Sequence, residues 1–451
     1  MPASAIPLST ATPSVAKPLS AIQRVVCVVA AVGFAFDTYE VVILSLIVRP
    51  AINSLSPMTT GSPEFNRWVG LLFYIPLAAG GIFGLLGGYL TDRFGRRRVL
   101  VWSILTYGGG ALGAALANSI PALLMWRCLT VVGVSVEFVA AIAWLAELFP
   151  DSKRRESVLG YTQMLSAAGG FLATGGYYVA VTFGHHLVAL RGGHDAWRYA
   201  LAFGLAPAIP LMLVRPFLPE SPVWQQKKAT GMLIRPRLTS LFAPAYRRST
   251  IVAAALSACT FAIAYGVLQQ TPRMVPGLPH IREMALQRQE QVVSAVHLFT
   301  DLGNVAGRWL FVLLIVRMFD QRRLLRTFLI PGLITIPVVY FVTARYDVNL
   351  LKLGVFVAAA LMTAQMSFWG NYLPRVYPTH LRGTGESFAT NIGGRVVGTL
   401  AALITPRLAS AMPGGPAVQL AYAAGVVGII VYAIAVAVSF WLPQPGEALP
   451  E

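Results

Sequence analysis

Twelve apolar stretches, each bounded by charge, glycine or proline, divide the chain and leave it few ways to fold. They fall at residues 21–48, 68–90, 99–117, 120–145, 158–183 and 196–217, then at 250–270, 292–316, 325–342, 351–372, 387–404 and 418–441. A bilayer core takes roughly 20 mostly apolar residues per helix, so about 240 would supply twelve spans. The 451 residues are 56% hydrophobic and 12% charged, with a mean hydropathy of +0.65; a disordered chain needs less apolar content, and a soluble one keeps its apolar runs short. The expected fold is therefore an all-α membrane protein with twelve transmembrane helices in two six-helix bundles.

The net charge of +17 would suggest nucleic acid in a soluble protein. Here it reads as orientation of the loops and attraction to anionic lipid, since no basic stripe interleaved with aromatics supports nucleic-acid binding. Roughly twice as many Lys and Arg lie on the side of the two termini as on the other, which places both termini in the cytoplasm of a cell-membrane protein. Residues 1–20, rich in Ala, Ser and Pro, are expected to be disordered, and the run after Arg24 lacks a clear cleavage site and reads as an uncleaved first helix. Cys27, Cys128 and Cys259 sit in apolar runs without metal-ligand spacing. His185, His186 and His194 near Asp195 read as a solvated loop rather than a metal site, and no cofactor is expected.

A polar stretch at 218–249 separates the spans six and six, with bundles at 21–217 and 250–442 and a tail at 443–451. Two sequence echoes link the halves. Asp92-Arg93-Phe94-Gly95-Arg96-Arg97-Arg98 aligns with Arg317-Met318-Phe319-Asp320-Gln321-Arg322-Arg323 at an offset of 225, and Glu147-Leu148-Phe149-Pro150 aligns with Arg375-Val376-Tyr377-Pro378 at an offset of 228. Offsets this close point to duplicated halves. One known plan relates two such halves by an axis along the membrane normal, with a site between them near the midplane.

In the loop after the second span, Gly84, Gly87 and Gly88 precede Asp92-Arg93-Phe94-Gly95-Arg96-Arg97-Arg98. Small residues let helices approach, Asp92 can answer the positive end of a neighbouring helix, and the arginines can pair with carboxylates. This spacing resembles the loop signature of the major facilitator superfamily. Arg127 to Glu137, Glu147 to Arg154, Pro219-Glu220-Ser221-Pro222 and Tyr377 to Gly385, which includes Arg382, are similar to further marks of its sugar-porter and metabolite:proton symporter branches. Asp37-Thr38-Tyr39-Glu40 resembles the paired-acid element of aromatic-acid:proton symporters, with Thr38 where glycine is usual. The resemblance implies gating by Gly88, Asp92, Arg93, Gly95, Arg96, Arg97, Glu147, Arg154 and Glu220, and by Arg322, Arg323 and Arg382 in the second half. Arg317 and Arg375 stand where the first half has Asp92 and Glu147, so the second latch should be weaker or differently paired, with Asp320 as a substitute acid.

Seven ionisable residues fall well inside spans: Asp37, Glu40, Arg127, Glu137, Asp301, Arg308 and Arg395. At about 2.5–3.5 kcal/mol each they would oppose insertion by roughly 20 kcal/mol if unpaired. Asp37 and Glu40 share a face of the first helix; His297, Asp301, Asn304 and Arg308 form a stripe on the eighth; Asn391 and Arg395 lie four apart on the eleventh. These stripes suggest one shared cavity. Close acids disfavour simultaneous ionisation, which makes the Asp37/Glu40 pair the expected proton carrier, with Glu137 and Asp301 as alternates. Arginine holds carboxylates bidentately, so Arg308 or Arg395 would bind an anionic cargo, with Arg127, His297, Asn304, Asn391, Tyr265, Gln269, Gln365 and Trp369 as further lining. The competing reading is that these charges form static ion pairs that fix helix packing.

The fifth span carries Gly169-Gly170 and Gly175-Gly176 but no proline, and so lacks the Gly-Pro element associated with antiporters of the superfamily. The resemblance thus implies uptake of a small organic, carboxylate-bearing metabolite with protons, by a monomer with no enzymatic activity. A sugar or polyol carrier and an export pump for apolar cations are the rivals.

Overall fold

The structure is a computed structural model that describes residues 21–149, 158, 162, 165–206, 208–209, 220–230, 238–279, 281–315, 317–318, 320–343 and 347–444. The first half contains α1 (Ala21–Leu55), α2 (Pro63–Phe94), α3 (Arg96–Ala115), α4 (Ile120–Leu148), α5 (Ala168–Phe183) and α6 (Ala196–Phe203). The linking stretch holds the short helix α7 (Pro222–Ala229). The second half contains α8 (Arg247–Gly266), α9 (Leu286–Ile315), α10 (Gln321–Pro337), α11 (Val348–Tyr372), α12 (Thr379–Ser387), α13 (Ala401–Ala409) and α14 (Pro416–Ser439). α12 and α13 belong to one span, joined through a π-helical stretch at Phe388–Val397 and a 3-10 turn at Gly398–Leu400.

The helices start where the sequence offers a cap. Ser62 before Pro63, Ser119 before Ile120-Pro121 and Ser221 before Pro222 each accept a backbone N–H from the first turn, and Pro in that turn has no N–H to leave unmet. Asp320 and Asp347 do the same for α10 and α11. Among the described residues nine helical segments are long and apolar enough to cross a membrane. α3 opens on three arginines, which shortens its apolar part, and the fifth and sixth spans are described in part. Several helices outrun their apolar cores: α1 continues to Leu55, 35 residues in all, or about 50 Å at 1.5 Å per residue. Helices α3 and α10 begin at residues 96 and 321, which repeats the offset of 225 between the halves.

Within the first half α4 packs against α1, α2 and α3; within the second, α9 packs against α11 and α10 against α14. The halves meet along two seams, α2 against the span of α12 and α13, and α5 against α9. Large apolar side chains such as Trp102, Met125, Trp309 and Ile334 point outward, the pattern of a molecule whose solvent is lipid. The end of the molecule at which α1 begins and α14 ends is called the terminal face below.

Candidate functional site

The structure divides the predicted polar stripes among separate junctions instead of collecting them at one point. The first junction lies on the α2 seam. Arg395, in the π-helical stretch, donates from Nη1 to Ser135 Oγ of α4 at 2.6 Å, and it interacts electrostatically with Asp37 of α1 and Tyr265 of α8. Asn391 donates from Nδ2 to Ser387 at 3.1 Å. This places a cation of the second half between an acid and a hydroxyl of the first. The spacing of Asn391 and Arg395 predicted an α-helical face; the observed winding is π, a form enriched at functional sites.

Glu40, expected to pair with Asp37, instead meets Arg127 of α4. Its Oε2 lies 2.7 Å from Arg127 Nη1, and Arg127 Nη2 also donates to the Glu40 carbonyl. Both side chains are sealed, at 0% and 1% exposure. Arg127, expected to line the cargo site, is thus taken by an acid of its own half. Removing one partner of such a buried pair costs about 3–5 kcal/mol, so this pair fixes α1 on α4. Glu137 is buried on the same helix as Arg127.

The second junction lies on the α5 seam. Thr174 Oγ1 donates to Asp301 Oδ2 at 2.6 Å, and His297 sits one turn before Asp301 and interacts with its charge. Gly170, one turn before Thr174, makes the approach possible: a Cβ there would stand 2.4 Å from Asp301 Oδ1. Among the described residues His297 Nε2 and Gln269 Oε1 are buried without a hydrogen-bond partner, a costly state that suits groups awaiting a ligand or proton. Asn304 accepts from Thr363 Oγ1 of α11 at 2.7 Å, within its own half, and Arg308 is partly buried further along α9. Gln365 and Trp369 are spent in the packing of the second half. Gln365 Nε2 donates to Tyr432 at 3.2 Å and Trp369 Nε1 to Thr260 at 3.2 Å.

A third junction was missed by sequence reasoning. On the face opposite the termini, Arg49 at the end of α1 forms an ion pair with Glu290 at the start of α9, and Tyr177 of α5 donates to Glu290 Oε2 at 2.7 Å. Beside them Arg273 donates from Nη2 to Asn66 Oδ1 at 2.8 Å, and Asn66 donates to Ser410 Oγ at 3.2 Å. All four of these ties run between the halves. The sequence signal was present as a continuation: Glu290 lies seven residues before His297 and extends the α9 stripe by two turns.

The bonds described for the predicted gating residues run within one half or to the adjoining linker and tail. Arg96 Nη2 meets Glu147 Oε1 at 2.7 Å and Arg96 Nη1 donates to the Thr91 carbonyl at 3.2 Å. Glu220 Oε1 accepts the backbone N–H groups of Arg96, Ser221 and Arg97 at 3.0, 3.0 and 3.3 Å. The carboxylate thereby caps the start of α3, where the helix dipole favours negative charge. Gly95 has φ of +94°, and a Cβ there would stand 2.6 Å from Glu220 Oε2, so only glycine seats this cap. Arg97 joins through its backbone, and Arg93 reaches the Tyr89 hydroxyl at 3.1 Å. In the second half Arg322 Nε donates to the Leu442 carbonyl at 2.6 Å. Asp320 accepts from the backbone of Arg322 and Arg323 at 2.9 and 3.2 Å and from Gln444 at 2.6 Å, and its carboxylate lies 3.3 Å from Arg323 Nε. The second latch is thus differently paired: it ties α10 to the end of the chain. Against slight burial, which raises it, the Arg323 and Gln444 hydrogen bonds lead the contacts that hold the Asp320 carboxyl below its ordinary range. Arg154 and the side chains of Asp92 and Arg382 lie outside the described residues, as does any side-chain role at Gly88.

Comparison with known proteins places this geometry. Residues 25–406 match the Major Facilitator Superfamily. A probable 4-methylmuconolactone transporter of Cupriavidus pinatubonensis is 27% identical over 411 residues, 88% of this chain and 87% of that protein. The cis,cis-muconate transport protein of Acinetobacter baylyi is 27% identical over 373 residues, 80% of this chain and 82% of that one. The crystal structure of a D-xylose-proton symporter superposes with a TM-score of 0.71 at 18% identity, over 93% of this chain and 97% of that one, a likeness of fold. By sequence and by fold the chain belongs to the Major Facilitator Superfamily and is a secondary transporter, not an enzyme.

Proposed function

We propose that this protein takes up a small, carboxylate-bearing organic anion together with a proton, by alternating access between its two halves. The observation that carries this reading is the junction at Arg395, where a cation of one half meets Ser135 of the other within electrostatic reach of Asp37. While Asp37 is ionised it holds Arg395. A proton on Asp37 weakens that hold and leaves the guanidinium for a carboxylate, which it can grip bidentately. With proton and anion both aboard, the junction carries no more net charge than before, so enclosing it in a low-dielectric interior is not penalised further. Proton loss on the other side restores the Asp37–Arg395 attraction and expels the anion. Asp301 with Thr174 and His297 forms a second titratable junction on the other seam, and Gln269, Tyr265 and Asn391 stand on the helices that flank the first.

Binding drives the cycle only through different affinities for the two states. The halves rock about the midplane, with the termini in the cytoplasm and the opposite face outside, as the distribution of Lys and Arg supports. The names of the two relatives, concerned with muconate and a muconolactone, support a carboxylate cargo for this chain.

The test is uptake by proteoliposomes of a panel of aromatic and aliphatic carboxylates, sugars and cations, with and without an inward proton gradient. A carboxylate should accumulate only with the gradient. Asp37→Asn should abolish uphill accumulation while sparing exchange, and Arg395→Gln should abolish both. Undiminished uphill uptake in Asp37→Asn, or sugar accumulation that survives Arg395→Gln, overturns the reading.

A further inference from the structure

Outside the central junctions, a cavity of about 520 Å³ opens on the face opposite the termini, between the halves. Its wall carries Arg49 and Thr60 from the first half and Arg273 and Arg282 from the second, and no acid is among its described lining residues. The three arginines are not equally compensated. Arg49 has Glu290. Arg282 is exposed and lies 3.7 Å from Glu283. Arg273 is nine-tenths buried, and among the described residues its Nη groups donate to the neutral amide oxygens of Gln270 and Asn66 alone. Its Nε is buried with no hydrogen-bond partner among the described residues. A buried guanidinium satisfied by neutral acceptors alone lacks the counter-charge that such a group needs.

We propose that this cavity is a vestibular binding site for small carboxylates, in which Arg273 and Arg282 hold the anion and Arg49 is the third cation within reach. The inference deepens the anionic-cargo reading and shares its premise about charge. The volume suits a molecule of one or two rings. The site also touches the clasp: an anion drawn to Arg49 competes with Glu290, the acid that joins α1 to α9 across the halves. Arrival of cargo at this face therefore loosens the tie that closes it.

The test uses the full chain in detergent, with Cys27, Cys128 and Cys259 replaced by alanine and a single cysteine introduced by Thr60→Cys. Its modification by an anionic methanethiosulfonate should outpace that by a cationic one several-fold at low salt. The ratio should fall toward one in Arg282→Gln, an exposed position that folding tolerates, and further in Arg273→Gln. Benzoate should slow the reaction, and the isosteric neutral benzamide should not. Equal rates for the two reagents, or equal protection by benzoate and benzamide, would overturn the proposal. Its failure is separable from that of the transport reading. Benzoate protection in a protein whose vesicles accumulate only neutral solutes leaves the vestibule standing and sinks the cargo assignment; carboxylate accumulation without protection does the reverse.

Discussion

Among the described residues, the two faces of the molecule use their polar contacts in opposite ways. At the terminal face, Arg96 binds Glu147 within the first half and Glu220 of the linker caps α3, while Arg322 binds Leu442 within the second half and Asp320 binds Gln444 of the tail. At the opposite face, Arg49 with Glu290, Tyr177 with Glu290 and Arg273 with Asn66 all cross from one half to the other. The terminal-face contacts therefore stiffen each half as a body, whereas the opposite-face contacts decide how the bodies sit. The difference teaches that, among the described residues, the arginine-rich loop singled out by sequence braces its own half, while the ties between the halves lie at the other end.

The strongest way to break this contrast is Glu290→Gln, which strips Arg49 of its counter-charge and weakens the Tyr177 bond. Losing one partner of a buried, hydrogen-bonded charge pair costs about 2–5 kcal/mol, so the population should shift toward a state open at the opposite face. Spin labels at Asn53 and Arg288, both exposed, should report longer distances, while labels at Arg93 and Arg323 should report closure or no change. Next in size is Asn66→Ala, which leaves Arg273 short of an acceptor at about 1–3 kcal/mol and should widen the same distance less. Glu147→Gln, which keeps one neutral hydrogen bond to Arg96, should lower thermal stability by about 1 kcal/mol and leave both distances as they were. Should it open either face, the brace would have to be counted a clasp. The smallest effect is at Asp320. Because its carboxyl is held below the usual range, its cap on α10 is present above that range and is lost only as pH falls through the lowered value; Asp320→Asn should remove this acid-side step from a pH series of thermal unfolding and change little near neutrality.

Much of this architecture was legible because apolar length is a local property. Twelve runs, a polar divide and an offset of 225 set the helices, the halves and the repeat, and Glu220 and Gly95 stood out with the loop they serve. Pairing across the chain was not legible. Arg49 and Glu290 are 241 positions apart and each lies near a helix end, where a charge reads as orientation of a loop. Glu40 and Arg127 were visible one by one, yet spacing along α1 suggested Asp37 as the companion of Glu40, and only packing of α1 on α4 gives it Arg127. The same limit applies to Gln365 and Trp369, whose helical spacing suits a cavity wall as well as it suits the contact with Tyr432 and Thr260 that they make. The arginine-lined cavity was hidden for a different reason: its arginines come from three loops and helix ends that no periodicity connects.

The wide winding from Phe388 to Val397 has a mechanical consequence. A π-helical stretch holds more residues in each turn than the α-helix beside it, so conversion to α-winding would lengthen the stretch and turn Arg395 about the helix axis. A change of winding at the residue proposed to grip cargo would therefore couple rotation of the guanidinium to a shift of the span that carries it.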